Sequence, residues 1–328
     1  MRVVVLGGTR FIGRRVVEQL LARSDDVLVV HRGATEPGDP GPAEHLHTDR
    51  RDVAAHAGRL RAFAPDAVVD CLAMTAADVD AVTPVLPDVP SVVLSSQDVY
   101  QAFADFRAGI GCTPVPIDES GQLRRERYPY RGAGVPGVPD DYDKLDVEER
   151  WLARGATVLR LPVVFGPHDA QRREEPVLRR VRAGRGRIPV GPADLLWTMA
   201  HVDDVATGVL AALDTRAADG LAVNLGEPRV STVRRWLEQI LAAAGSDAEL
   251  VRVADGALPP DLALTAAHCQ HLLFSVRRAE ELLDWAPADP ETRVAESVRW
   301  HLCHPPEQPS WAQSDAEADD RALRTQIG

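Results

Sequence analysis

Between the β-branched run Arg2 to Leu6 and a stretch with apolar residues at helical spacing (Val16, Val17, Leu20, Leu21) stands the turn Gly7-Gly8-Thr9-Arg10-Phe11-Ile12-Gly13. Glycines at such a strand-to-helix turn allow tight bending and close approach of a pyrophosphate, whose charge the helix N-terminal amides meet. Gly7, Thr9, Arg10, Phe11, Ile12 and Gly13 are therefore candidate dinucleotide contacts. A second chemical signal is compositional: of the 37 basic residues, Lys144 alone is lysine and the rest are arginine. Arginine serves wherever charge suffices, so a lone lysine points to a site that needs a compact ammonium, which a guanidinium fork cannot replace in a narrow pocket.

Potential proton donors lie near both ends of this arrangement. Ser96 closes the apolar run Ser91 to Ser96 and is followed by Asp98 and Tyr100, while Asp140 and Tyr142 precede Lys144. At about 100° per residue, a two-residue offset would turn Tyr142 away from Lys144 if one helix held both. Either the helix begins late and Tyr142 reaches in from the Gly- and Pro-rich segment before it, or no phenol acid is present. In the second case Asp98 or Asp140 would supply the acid/base group, with a pKa raised by burial.

The elements that must position these groups can be read from periodicity. Apolar runs at Arg2 to Leu6, Val27 to His31, His45 to Thr48, Asp66 to Leu72, Ser91 to Ser96 and Thr157 to Leu161 alternate with helical stretches. That pattern predicts an α/β fold, a doubly wound parallel sheet of the Rossmann type. The texture changes after Gly166, and a smaller C-terminal substrate lobe is expected to close over the strand ends. The predicted organisation is a dinucleotide-binding domain at 1–166, with 198–226 returning to it; a substrate lobe at 167–197 and 227–304; and a poorly ordered tail at 305–328, where proline and charge replace apolar periodicity.

The motifs together resemble the extended, epimerase/dehydratase-type branch of the short-chain dehydrogenase/reductase superfamily. The pieces fall in that branch's order over residues 1–303: GGTRFIG, DAVVDCLA (66–73), SSQDVY (95–100), KLDVE (144–148), LRLPVVFGP (159–167), HVDDVA (201–206) and LLDW (282–285). Arg10 replaces the middle glycine of the branch's GxxGxxG, and the turn is similar to that of an atypical subgroup which includes chloroplast stem-loop RNA-binding proteins. The resemblance implies catalytic roles for Ser96 and Lys144, with Lys144 also binding the nicotinamide ribose and lowering the pKa of the catalytic Tyr; Asp98 stands where dehydratases of the branch carry an acidic residue, and Tyr142 is the phenol nearest Lys144. It adds Leu72 to the cofactor contacts. The branch's YxxxK places Tyr four residues before Lys, where this chain has Asp140.

The second strand ends at His31-Arg32 without the carboxylate that would bind a ribose 2′-hydroxyl, and Arg32 and Arg10 suit a 2′-phosphate. NADP(H) is thus expected over NAD(H). The function expected is an NADP(H)-dependent oxidoreductase or epimerase of a small hydroxyl- or carbonyl-bearing metabolite. The alternatives are a redox-silent member doing acid/base chemistry and an RNA-binding relative. The seven arginines at 172–187 read either as a solvated helix face or as a clamp for an anionic substrate. A net charge of −12 and only 5% aromatic residues disfavour nucleic acid. Short apolar runs and an N-terminus without a leader pattern predict no membrane segment and a cytoplasmic protein. Cys71, Cys112, Cys269 and Cys303 are too scattered for disulfides or CxxC chemistry. The pairs His268/His271 and His301/His304 lack a ligand partner, so no metal is expected. A homodimer is implied by the resemblance alone.

Overall fold

The computed structural model describes residues 1–34, 41–111, 113–307 and 311–327; Cys112 lies outside the described residues. Its first half runs β1 (Arg2–Leu6), α1 (Phe11–Ala22), β2 (Asp26–His31), β3 (Glu44–His47), α2 (Ala57–Phe63), β4 (Ala67–Asp70), α3 (Ala76–Val82), β5 (Ser91–Ser96), α4 (Gln101–Ala108), α5 (Lys144–Leu152) and β6 (Thr157–Leu161). The second half runs β7 (Val163–Phe165), α6 (Glu175–Arg182), β8 (Arg187–Val190), β9 (Met199–His201), α7 (Val202–Asp214), β10 (Ala222–Asn224), α8 (Val233–Ala243), β11 (Glu249–Arg252), α9 (Arg277–Leu283), α10 (Pro290–Cys303) and α11 (Gln313–Leu323).

Seven strands form one sheet in the order β10-β6-β5-β4-β1-β2-β3, every pair parallel. The predicted doubly wound α/β fold is thus present, and the strand order reverses beside β1, where such sheets open a crevice at their carboxyl ends. Alternate residues of the buried strands feed two cores. Val3, Val5 and Val69 face α1 and α7, while Val4, Val68 and Val93 face α2, α3 and α5. No helix among the described residues is long and apolar enough to cross a membrane.

A third core joins α6, α8 and α10 around Leu178, Trp236, Ile240 and Val298. Helix α9 does not share it, although the expected lobe boundary included it: Ala279 and Leu283, with Trp285 beyond the helix, are buried in the sheet's own core. The expected poorly ordered tail also needs correction, because residues 313–323 form α11. The reason is electrostatic and was hidden in the arginine cluster. Arg180 is fully buried between Asp261 and Asp319, donating to Asp319 at 2.8 and 2.9 Å and to Asp261 at 2.7 and 3.2 Å. Arg179 pairs with Asp261 and Asp315. These two arginines are therefore neither solvated nor directed at a substrate; they fasten α11. Arg180→Ala would strand the fully buried Asp319 carboxylate and is expected to cost about 3–5 kcal/mol in chemical denaturation. Stability within about 0.5 kcal/mol of wild type would show that α11 contributes nothing to the fold.

Candidate active site and cofactor cleft

A cleft of about 650 Å³ opens at the carboxyl ends of β1, β2 and β4. All six candidates of the glycine turn line it, as do Arg32 and Leu72. Two glycines are demanded by geometry. Gly7 has φ +87°, which an L side chain rarely adopts, and a Cβ on Gly13 would sit 1.9 Å from the Gly7 carbonyl oxygen. The turn therefore closes tightly onto the start of α1, and no side chain caps that helix. Its free amides and the surrounding cradle fit a dinucleotide pyrophosphate. Arg10 and Arg32 are both solvent-exposed on the cleft's rim. Asp70, fully buried below, accepts from the Leu72 and Ala73 amides and is clamped by Arg50 at 2.9 and 3.2 Å, fixing the loop that carries Leu72.

The cleft runs to Met74 and Pro139, and there the second group of candidates begins. The Asp143 amide donates to the Met74 carbonyl, and Asp143 is the N-cap of α5, accepting from the Leu145 amide. Its carboxylate also takes Arg124 at 2.5 Å and the Tyr128 amide at 3.0 Å, so the helix starts at Lys144 and no earlier. The late start frees Tyr142 from the helical offset. Its phenol donates to Asp98 Oδ2 at 2.9 Å and also interacts with the Ser96 hydroxyl. The Lys144 ammonium is buried, donating to the carbonyls of Ala73 (2.6 Å) and Leu94 (2.9 Å), which leaves one of its three N–H bonds for a further partner.

Electrostatics here depart from what the resemblance implied. Burial pushes the Tyr142 phenol well above its usual value, and the adjoining Asp98 carboxylate pushes it further. The net direction is upward, opposite to the lowering that the resemblance implied. Asp98 is itself raised by burial, against the opposing pull of the Tyr142 hydrogen bond, Arg124 and Lys144. The Lys144 pKa is lowered, burial outweighing the Asp70 and Asp98 carboxylates. Asp98 Oδ1 is buried without a hydrogen-bond partner among the described residues.

Other candidates fall elsewhere. Tyr100 is fully buried, donating to Asn224 at 2.8 Å and accepting from Arg160 at 2.9 Å, and serves the core. Asp140 is exposed and accepts from the Gly132 amide. Glu148, four residues after Lys144, is a buried partner of Arg160 and Ser95. Tyr130 was missed: its hydroxyl lies 3.4 Å from Asp98 Oδ2, and its ring packs edge-on against Tyr142, 5.2 Å between centroids. No motif marks it, since only the path of the 125–142 loop brings it in.

A parallel sheet with a glycine-cradled cleft at its topological switch point, and a Ser, Tyr and Lys gathered beside it, defines a dinucleotide-binding α/β protein. Residues 3–101 match the NAD dependent epimerase/dehydratase family. It is 27% identical over 315 residues to a 3-diazoavenalumate denitrifying reductase from Streptomyces sp, covering 89% of this chain and 98% of that protein. It is 25% identical over 305 residues to the chloroplast stem-loop binding protein of 41 kDa b from Arabidopsis thaliana, covering 87% and 75%. Among solved structures, the dTDP-glucose 4,6-dehydratase from Bacillus anthracis in complex with NAD has the same fold, with TM-score 0.69 and 16% identity over 93% of this chain and 97% of that one.

Proposed function

We propose that this chain is an NADP(H)-dependent reductase of a small carbonyl-bearing metabolite. The observation that carries the reading is the Tyr142 phenol, which donates to Asp98 at 2.9 Å and interacts with the Ser96 hydroxyl, two residues before the buried Lys144 ammonium. A nicotinamide cofactor, when bound in the cleft, supplies the hydride. Ser96 donates a hydrogen bond to the substrate oxygen as negative charge develops there. Tyr142 delivers the proton to that oxygen, its raised pKa keeping the phenol protonated until the substrate oxygen gains negative charge. Asp98 accepts the Tyr142 hydrogen bond and holds the phenol in place. Lys144 uses two N–H bonds to tie the β4 and β5 ends together and offers the third to the cofactor's ribose. The similarity to a protein named as a reductase supports this direction. The remaining parts of the lobe at 167–197 and 227–304 would hold the substrate. The homodimer belongs to the same reading and rests on the resemblance alone.

The cofactor preference rests on Arg10 and Arg32, two guanidinium groups that line the cleft near the end of β2. Calorimetry should show NADPH bound more tightly than NADH, and Arg32→Ala should remove about 10- to 100-fold of that preference, the worth of one charge-assisted contact. Equal affinity for the two cofactors in the wild-type protein would overturn it. Hydride transfer itself is tested by NADPH oxidation against a panel of aldehydes and ketones, and a protein that binds NADPH yet oxidises it with none of them would point to non-redox chemistry.

A further inference from the structure

The edge of the sheet carries a side-chain cluster that the reductase reading does not use. His31 ends β2 and pairs directly with His47 on β3, and His45, two residues earlier on that strand, stands on the same face. One ring nitrogen from each of the three lies within 4.8 Å of the others. His31 Nε2 and His45 Nδ1 are 2.8 Å apart, and the His31 ring stands at 81° and 86° to those of His45 and His47. The sequence hides the grouping, because only the register of β2 against β3 brings residue 31 to residues 45 and 47.

We propose that His31, His45 and His47 form a binding site for a late first-row divalent metal ion of the zinc, nickel or copper class. Three imidazoles are borderline ligands, suited to these ions and poorly suited to magnesium or calcium. Paired strands fix all three Cα positions, and three protein ligands leave a fourth position for water. The other convergent group, His201, Asp203 and Glu296, is not comparable: Asp203 is paired with Arg15, and Glu296 with Arg293.

The protons balance without any net release. The Gly33 amide donates to His31 Nδ1 at 3.2 Å, so in the pair of rings the shared proton sits on His31 Nε2 and is donated to His45 Nδ1. When the ion binds, that hydrogen bond is broken, His31 Nε2 and His45 Nδ1 each take the metal, and the His31 proton moves to Nδ1. His45 keeps its proton on Nε2. The cost is the long Gly33 contact and a widening of the two nitrogens from 2.8 Å to about 3.3 Å, the separation that metal–nitrogen bonds near 2.0–2.1 Å require at a tetrahedral centre. Gly33 has room to yield: a Cβ there would meet nothing closer than 3.7 Å.

The test uses the full chain, stripped with a chelator and titrated with zinc sulfate against a chromophoric competitor. One equivalent of Zn²⁺ is expected to bind at micromolar protein. His47→Gln, at an exposed position, and His45→Ala should each weaken it by more than about tenfold. Imidazole NMR signals of the folded wild-type chain provide a reading independent of either variant, and those of His31, His45 and His47 should shift together at one equivalent. Absence of binding, retention of affinity in His47→Gln, or shifts confined to His268, His271, His301 or His304 would each overturn the proposal.

Discussion

Tyr142→Phe is expected to lower carbonyl reduction by about 10²- to 10⁴-fold while leaving NADPH affinity within about twofold of wild type. The ring is buried and packs against Tyr130, so phenylalanine preserves its volume and edge-on contact. Only the donor is lost, and the phenol does not line the cofactor cleft. The pH dependence carries a sign. The folded-state pKa of Tyr142 is raised, so the donating form persists through and beyond the usual tyrosine value of about 10, and reduction should not decline on its account between about pH 7 and 9. Initial rates of NADPH consumption across that range decide the matter. Full activity in Tyr142→Phe with none in Asp98→Asn would mean that the carboxyl group donates directly.

Lys144→Arg is expected to be nearly as damaging although it conserves charge. The ammonium occupies a buried slot between the Ala73 and Leu94 carbonyls, at 2.6 and 2.9 Å. A guanidinium is larger and planar, cannot reproduce both bonds from the same backbone, and overpacks the slot, for a stability loss of about 1–3 kcal/mol. The loop carrying Leu72 to Met74 would shift with it, so NADPH binding should weaken along with thermal stability. Lys144→Met separates the causes, keeping most of the stem while removing the donors. An arginine variant with wild-type melting temperature and NADPH affinity would place the residue outside the machinery.

How far the sequence can be read depends on the range of the interaction. β1, β5 and β6 are bounded by apolar runs whose ends coincide with glycine, serine or proline, so local pattern alone locates them. The glycine turn is equally local, since Gly13 is needed for its approach to a carbonyl six residues earlier. The start of α5 is not local. It depends on Arg124 and the Tyr128 amide converging on Asp143, contacts that 100°-per-residue arithmetic cannot contain, and so Tyr142 stood ambiguous between two readings. Tyr130 and the histidine group depend on loop path and strand register. α11 was unreadable because its polar sequence is held by buried charge pairs rather than by an apolar stripe.

The Arg180–Asp319 pair also orders events during synthesis. The two residues are 139 apart in sequence, and when Arg180 leaves the ribosome its carboxylate partners at 261 and 319 have not been made. Until they arrive, the guanidinium must remain hydrated, and the lobe around α6 cannot close over it without burying an uncompensated charge. The strands β1 to β6, by contrast, are all present once residue 161 has emerged. Nascent chains should therefore carry an open, protease-sensitive lobe around α6 until translation reaches α11.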